Sequence, residues 1–520
     1  MMGRRGAVAT SQPLAAQAGM STLQAGGNAI DAAIATAAAL TIVEPSSNGL
    51  GGDAFALVWS GGKLHGLNGS GRAPALATWE HYRDAGHTRV PDLGWLPVTV
   101  PGAVSAWVSL HERFGRLAFH DVLAPAIALA EGGFVVSPMV AHYWETSHQI
   151  FLVHGTTPEF APWFDTFAPS GTAPRTGDVI TFADHAQTLR AIASTNGKAF
   201  YEGHIAEAID AFSRETGGLL RGDDLASHRA DWVDPIGTNY RGFDVWEIPP
   251  NGHGITALNA LNILEGFDIG SMEPEDPYSW HVQIESMKLA YTDAQTYVAD
   301  PMYTDVPVVG LLDKTYAAQR RSLISDVATL PVVGDPPRGG TVLLATADAD
   351  GNMVSFIQSN YDEFGSGVVI PGTGVGLQNR GANFSLDPTH RNVLAPGKRS
   401  YHTIIPGFLT RDNEAIGPFG VMGGFMQPQG HVQTIVRTVD HHLHPQAALD
   451  APRWRWSEGL TVWIEPRTPP ELVEALRARG HHVVLETEPT AFGRGQIIWR
   501  VGDSYVAGSE SRTDGQALVW

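Results

Sequence analysis

Pro336-Pro-Arg-Gly-Gly-Thr-Val-Leu-Leu-Ala-Thr-Ala-Asp-Ala-Asp-Gly-Asn-Met-Val-Ser-Phe-Ile-Gln-Ser359 is the stretch on which the reading of this chain turns. A proline- and glycine-rich linker ends at a hydroxyl residue that opens a β-branched run. Thr341 to Ala347 predicts a strand, Asp348 to Asn352 a turn and Met353 to Ser359 a second strand, which together make a hairpin. Alternation along the second strand sets Ser355, Ile357 and Ser359 on one face.

The pattern changes on either side of Thr341. Upstream, Ala7–Thr10 predicts a short strand, and Ser11 and Pro13 start a helix that Gly26-Gly27 stops. Asn28 caps the next helix, which Pro45 ends; being apolar nearly all round and rich in alanine, it is expected to be buried on several sides. The glycine-rich loop from Ser46 to Asp53 leads into a strand from Ala54 to Trp59. Further helices are predicted at Gly102–Phe114, Asp184–Ser194, Ile205–Thr216, Gly254–Gly266 and Trp280–Ala299, with a long surface loop at Gly155–Gly177. Downstream, a second hairpin is predicted from His402–Thr410 and Ala415–Met422. Gly423-Gly424 and a helix over Gly430–His441 follow, then strands at Leu460–Glu465, His482–Thr487 and Gln496–Val501. Helices thus dominate residues 1–340 and paired strands residues 341–520. The fold class is α+β, with sheets inside and helices segregated to outer faces.

Bulk composition narrows the function. Apolar residues make up 43% and charged residues 17% of the 520, the profile of a soluble globular protein. The 34 basic and 54 acidic side chains give a net charge of −20, which argues against nucleic acid and anionic membranes as partners. The chain has no cysteine, so disulfides, thiolate zinc sites and a thiol nucleophile are excluded together. No apolar run reaches the ~20 residues of a membrane helix. Arg4-Arg5 is not followed by an apolar signal region, so a cytoplasmic location is expected.

A break between Gly340 and Thr341 would make Thr341 a new N-terminus. One residue would then hold a hydroxyl nucleophile and an α-amine of pKa ~7.7–8.0, suited to act as its base. The Thr341 hydroxyl can itself attack the Gly340 carbonyl, and glycine bends into the backbone that this requires. Alone, Gly-Gly-Thr reads as a loop before a strand. Two neighbours add weight: Gly423-Gly424, between strand and helix, suits a pair of N–H donors for an oxyanion, and Ser359 faces Thr341 across the hairpin. Other motifs lead nowhere. His441-His442-Leu-His444 lacks a carboxylate at helical spacing, GTGVG at Gly372–Gly376 opens no helix, and Asp362-Glu363 reads as a solvated loop. Nothing points to a metal or an organic cofactor.

Several segments together resemble the γ-glutamyltranspeptidase family of N-terminal-nucleophile hydrolases. They are GGNAIDAAIATAAAL (26–40), SSNGLGGDAF (46–55), VPGAVSAW (100–107), the hairpin segment 339–369, LQNRGANFSLDP (377–388), APGKRSYHTIIP (395–406), VMGGFMQPQG (421–430) and PQAALDAPRW (445–454). The resemblance implies a four-layer αββα sandwich and self-cleavage of one precursor before Thr341. The two subunit segments, 1–340 and 341–520, would stay together as one compact heterodimer, possibly paired again. It makes Thr341 the nucleophile, Ser359 its supporting hydroxyl, Gly423-Gly424 the oxyanion hole and an amide of small size the substrate.

The pocket departs from the family pattern. Tyr361 stands for an asparagine, Arg380 for a glutamine, and Asn383 for the aspartate that pairs with a substrate ammonium. His402 and Thr403 replace two serines at the α-carboxylate, and the arginine for that carboxylate falls at Ser70, with Arg72 two residues on. Losing an anion at 383 and gaining Arg380 would favour a carboxylate over an ammonium. Three readings remain: a hydrolase or transferase of γ-glutamyl amides such as glutathione, a glutaryl-type cephalosporin acylase or oxamate amidohydrolase of the same mechanism, and an uncleaved binding protein.

Overall fold

The computed structural model describes residues 1–331 and 340–520, with residues 340–342 described by their backbone only. Pro336–Gly339 lie outside the described residues.

Among the described residues, two seven-stranded sheets dominate. The first is ordered Gln516–Val519, Gly6–Thr10, Gly340–Asp348, Met353–Tyr361, Asp53–Ser60, Lys63–Gly69, Asp231–Val233. The second runs Met2–Gly3, Ser504–Ser509, Arg494–Val501, Glu414–Met422, Gly407–Arg411, Phe243–Glu247, Ile236–Tyr240. Each sheet takes strands from both sides of the Gly340–Thr341 bond. The pairings within both sheets are antiparallel.

The sheets pack face to face. The Ser355 hydroxyl donates to the Phe419 carbonyl at 3.3 Å, and Gly420 leaves room for Leu343, whose Cδ2 would lie 2.9 Å from a Cβ there. Helices Pro13–Gln24 and Ala29–Val43 cover the outer face of the first sheet, with Phe119–Gly132 packed on Ala29–Val43, and Gly254–Leu264 and Gln427–Ile435 cover that of the second, with Pro277–Tyr297 packed on Gly254–Leu264. The result is the expected αββα sandwich. All residues of Ala29–Val43 are buried, and Asn28 makes a capping box with Asp31. Because that helix meets neighbours on every side, small alanines let them approach, and no polar face is needed.

Three sequence expectations are corrected. Gly155–Gly177 is not a bare surface loop: it contains a short 3₁₀ turn, Pro158–Phe160, and the helix Ala161–Phe167. Trp163 is buried against Phe364, Phe167 against Trp144 and Phe364, and Phe160 against Phe151, so aromatic burial overrides the local turn composition. The strand expected from His402 begins only at Gly407. Before it, the N–H groups of Ile404 and Ile405 are taken by side chains, His402 Nδ1 at 3.3 Å and Gln427 Oε1 at 2.9 Å, and Pro406 has no N–H to give a ladder. Asp362-Glu363 is not a solvated loop. Both are partly buried, and Asp362 accepts from Asn379 Nδ2 at 3.0 Å and Glu363 from Ser147 Oγ at 3.3 Å. Among the described residues, no helix is long and apolar enough to cross a membrane.

Candidate active site

Thr341 sits in the second residue of the strand Gly340–Asp348. The register pairs Gly340 with Tyr361 and Val342 with Gln358, with an irregularity between the two pairs. Two residues, Ser359 and Asn360, therefore stand opposite the one position of Thr341. Such a bulge fits an extra residue into one strand and bends it locally. Ser359 is fully buried, and its hydroxyl accepts the Tyr361 N–H at 2.8 Å. Tyr361 takes a φ of 78°, a strained value for a bulky residue, and so closes the bulge.

Gly423 and Gly424 follow directly on the strand Glu414–Met422, with φ of 131° and 56°. Both values favour glycine, and a Cβ on Gly423 would come 3.1 Å from Gly493 Cα. The next residue, Phe425, is tied down by the Tyr291 hydroxyl and by Gln429 Nε2, both donating to its carbonyl. The helix Gln427–Ile435 then leads away. A glycine pair turned this way, just ahead of a helix, presents backbone N–H groups that can hold a developing anion.

The structure draws Tyr361, Arg380, Asn383, His402 and Thr403 together around an acid that the sequence reading left without a role, Asp53. Arg380 and Asp53 are both 0% exposed. Arg380 Nε and Nη2 donate to Asp53 Oδ2 and Oδ1, each at 3.3 Å, and Nη1 donates to Thr403 Oγ1 at 2.7 Å. Its guanidinium carbon lies 4.5 Å from the centre of the Tyr361 ring. The Tyr361 hydroxyl donates to Asn383 Oδ1 at 2.9 Å, leaving Asn383 Nδ2 buried without a partner among the described residues. The expectation that Arg380 awaits a substrate carboxylate is thus modified: the chain itself supplies one.

His402 completes the group. Its Nδ1 accepts the Ile404 N–H, so Nε2 carries the proton and donates it to Asp53 Oδ2 at 2.6 Å. Burial pushes the Asp53 carboxyl up, but Arg380 and His402 outweigh it and hold it below the usual range. Burial and the Arg380 charge pull the His402 imidazole down to about 4, against the pull of Asp53. The group is therefore one cation, one anion and a neutral imidazole. Asp53 opens the strand Asp53–Ser60 and pairs in register with Ser359, which sets this cluster beside the hairpin. The signal for it in the sequence was an acid at the head of an otherwise apolar strand run, where a solvated acid has no place.

Arg72 stands with a different group. Its Nη1 donates to Gly397 O at 3.2 Å, and it lies 3.6 Å from both Asp231 and Asp300. His444 caps the helix Pro445–Asp450 through its Nδ1, in line with a surface role for the His441–His444 cluster.

A family model described as gamma-glutamyltranspeptidase matches residues 15–520. The crystal structure of a cephalosporin acylase from Bacillus halodurans is 55% identical, with a TM-score of 0.97 over 100% of this chain and 96% of that one. The glutathione hydrolase-like YwrD proenzyme of Bacillus subtilis (strain 168) is 37% identical over 100% of this chain and 99% of its own. The acylase ACY 1 proenzyme of Pseudomonas sp. (strain SE83) is 35% identical, covering 99% and 94%.

Proposed function

Because the chain belongs to the gamma-glutamyltranspeptidase family of N-terminal-nucleophile hydrolases, we propose that it is a self-processing amide acylase whose acyl group carries no α-ammonium. In processing, the Thr341 hydroxyl attacks the Gly340 carbonyl carbon. The C–N bond breaks, nitrogen takes a proton, and water hydrolyses the resulting ester to leave two chains. The family relatives named as proenzymes support this step.

In turnover, the freed Thr341 amine accepts the hydroxyl proton while Oγ adds to the substrate carbonyl. The Gly423 and Gly424 N–H groups receive the oxyanion, and the leaving amine takes the proton. Water then attacks the acyl ester, releases the acid and restores the threonine. Ser359, held by the Tyr361 N–H, supports the hydroxyl. No step calls for a metal or an organic cofactor.

The observation that carries the acyl preference is at Asn383. An amide stands where the resemblance places an ammonium-pairing carboxylate, and its Oδ1 is occupied by Tyr361 while a buried N–H remains free to donate. Asp53 is engaged by Arg380 and His402. A substrate ammonium would be left in a buried wall without a counter-charge, which is costly. Likeness to the Bacillus halodurans cephalosporin acylase supports the acylase part of the reading.

A second reading, cleavage of γ-glutamyl amides such as glutathione, is favoured by the YwrD relative. Release of p-nitroaniline from γ-glutamyl-p-nitroanilide and from the same acyl anilide lacking the α-amine decides between them. Faster turnover of the amine-free substrate is expected; a clear preference for the γ-glutamyl substrate would install the second reading.

A further inference from the structure

We propose that Asp53 is a specificity-determining residue: by cancelling the charge of Arg380 it makes the acyl-binding wall electrically neutral and selects uncharged acyl groups over acidic ones. The inference rests on the acylase reading above and names the substrate class for it.

Among the described residues, Asp53 is the carboxylate that pairs with the cation of this wall. Asp53 takes Arg380 through both Nε and Nη2, a side-on fork, and takes the His402 N–H on the same Oδ2 that receives Arg380 Nε. Thr403 occupies a further donor of Arg380, and the Tyr361 ring covers its face. The His402 tautomer is fixed by the Ile404 N–H, so the ring sits neutral with its proton toward Asp53. These three side chains come from positions 53, 380 and 402, brought together by the head of one strand, the short 3₁₀ turn Arg380–Asn383 and the extended segment before Gly407.

An isolated arginine here would draw an acidic acyl group, because charge-assisted forks are strong in a dry site. With Asp53 in place, a second carboxylate would bring a net negative charge into the wall, and only proton uptake by His402 could offset it. An uncharged acyl group meets no such penalty. It can use the spare Asn383 Nδ2–H, a donor with no partner among the described residues.

The test uses two near-isosteric substrates, glutaryl-p-nitroanilide and its ω-amide, 4-carbamoylbutanoyl-p-nitroanilide, with the full-length, self-cleaved protein. The wild type should show the lower KM for the ω-amide by about tenfold at neutral pH. Asp53→Asn frees the Arg380 charge and should move the KM ratio toward the glutaryl substrate by about tenfold or more, with kcat for the two substrates changing by a common factor. Arg380→Gln leaves Asp53 uncompensated and should move the ratio the other way. This second variant keeps the test open if Asp53→Asn does not fold.

Opposite shifts in the two variants support the inference. Equal losses on both substrates, with the ratio unmoved in either variant, would mean that the pair is merely structural and would overturn it. A cleaved wild type that hydrolyses neither substrate, yet turns over γ-glutamyl-p-nitroanilide, would instead remove the acylase reading and this inference with it.

Discussion

The Tyr361 hydroxyl donates to Asn383 Oδ1 at 2.9 Å, joining the residue opposite Gly340 to the position where an ammonium-binding acid is expected. Burial pushes the Tyr361 phenol well above its ordinary value, so it remains a donor throughout the working range. Asn383 is thereby fixed with its oxygen toward the ring and its nitrogen available. Asn383→Asp should raise turnover of γ-glutamyl-p-nitroanilide relative to the amine-free anilide by about tenfold, since it restores an anion for the ammonium. Parallel kcat/KM measurements on the two substrates check it; an unchanged ratio would show that position 383 does not meet the acyl α-carbon.

Gly423→Ala places a Cβ 3.1 Å from Gly493 Cα at a φ of 131°. The loop must turn to relieve this, and an oxyanion donor would move with it. A loss of roughly 10²–10³ in kcat is expected, with KM changed far less, as for removal of one such donor. Steady-state kinetics of the cleaved variant give the answer, and a normal kcat would remove Gly423 from the oxyanion hole.

Acid–base behaviour near the site is testable through Glu363. Burial pushes its carboxyl up to about 7, against the pull of Arg494 and Ser147, while an unfolded glutamate titrates near 4.5. The folded state therefore holds a proton that the unfolded chain has released. The stabilisation is complete below pH 4.5 and is lost as the pH rises through about 7. Glu363→Gln has no proton to lose. Its Tm, measured against wild type, should become more favourable from pH 5 to pH 8; a difference that stays flat would contradict the buried protonated state.

Trp163 is 0% exposed and packs at 4.5 Å from Phe151 and 5.3 Å from Phe364, ring centre to ring centre. Trp163→Ala should cost about 3–5 kcal/mol of stability by leaving a large cavity. Urea unfolding measures this directly. A loss under 1 kcal/mol would return the segment to the exposed loop read from its composition.

Much of this fold is legible in the sequence. The hairpin at Thr341 and the buried helix Ala29–Val43 carry strong local signals, a β-branched run with an Asp-Gly-Asn turn and an alanine stripe between Asn28 and Pro45. The sheet order was not legible, because pairing such as Asp53–Ser60 with Met353–Tyr361 is a long-range event. Ile236–Tyr240 and Phe243–Glu247 escaped as strands: the first is the edge of its sheet and contains Gly237 and Asn239, which weaken strand propensity. In the site, residue types at 341, 359, 423 and 424 suggested the chemistry proposed for them. Asp53 did not, since the sequence shows an acid but not that Arg380 and His402, over 300 positions on, converge upon it. For the same reason Arg380 read as a free cation.

The central claim is that the chain cuts itself at one bond to make its catalyst. N-terminal sequencing of the fragments of purified protein tests this most directly, with Thr341→Ala as the control. The account predicts a small fragment that begins Thr-Val-Leu-Leu-Ala in the wild type, and a single full-length chain without amide hydrolysis in the variant. A different first residue, or turnover by an uncut chain, would contradict it.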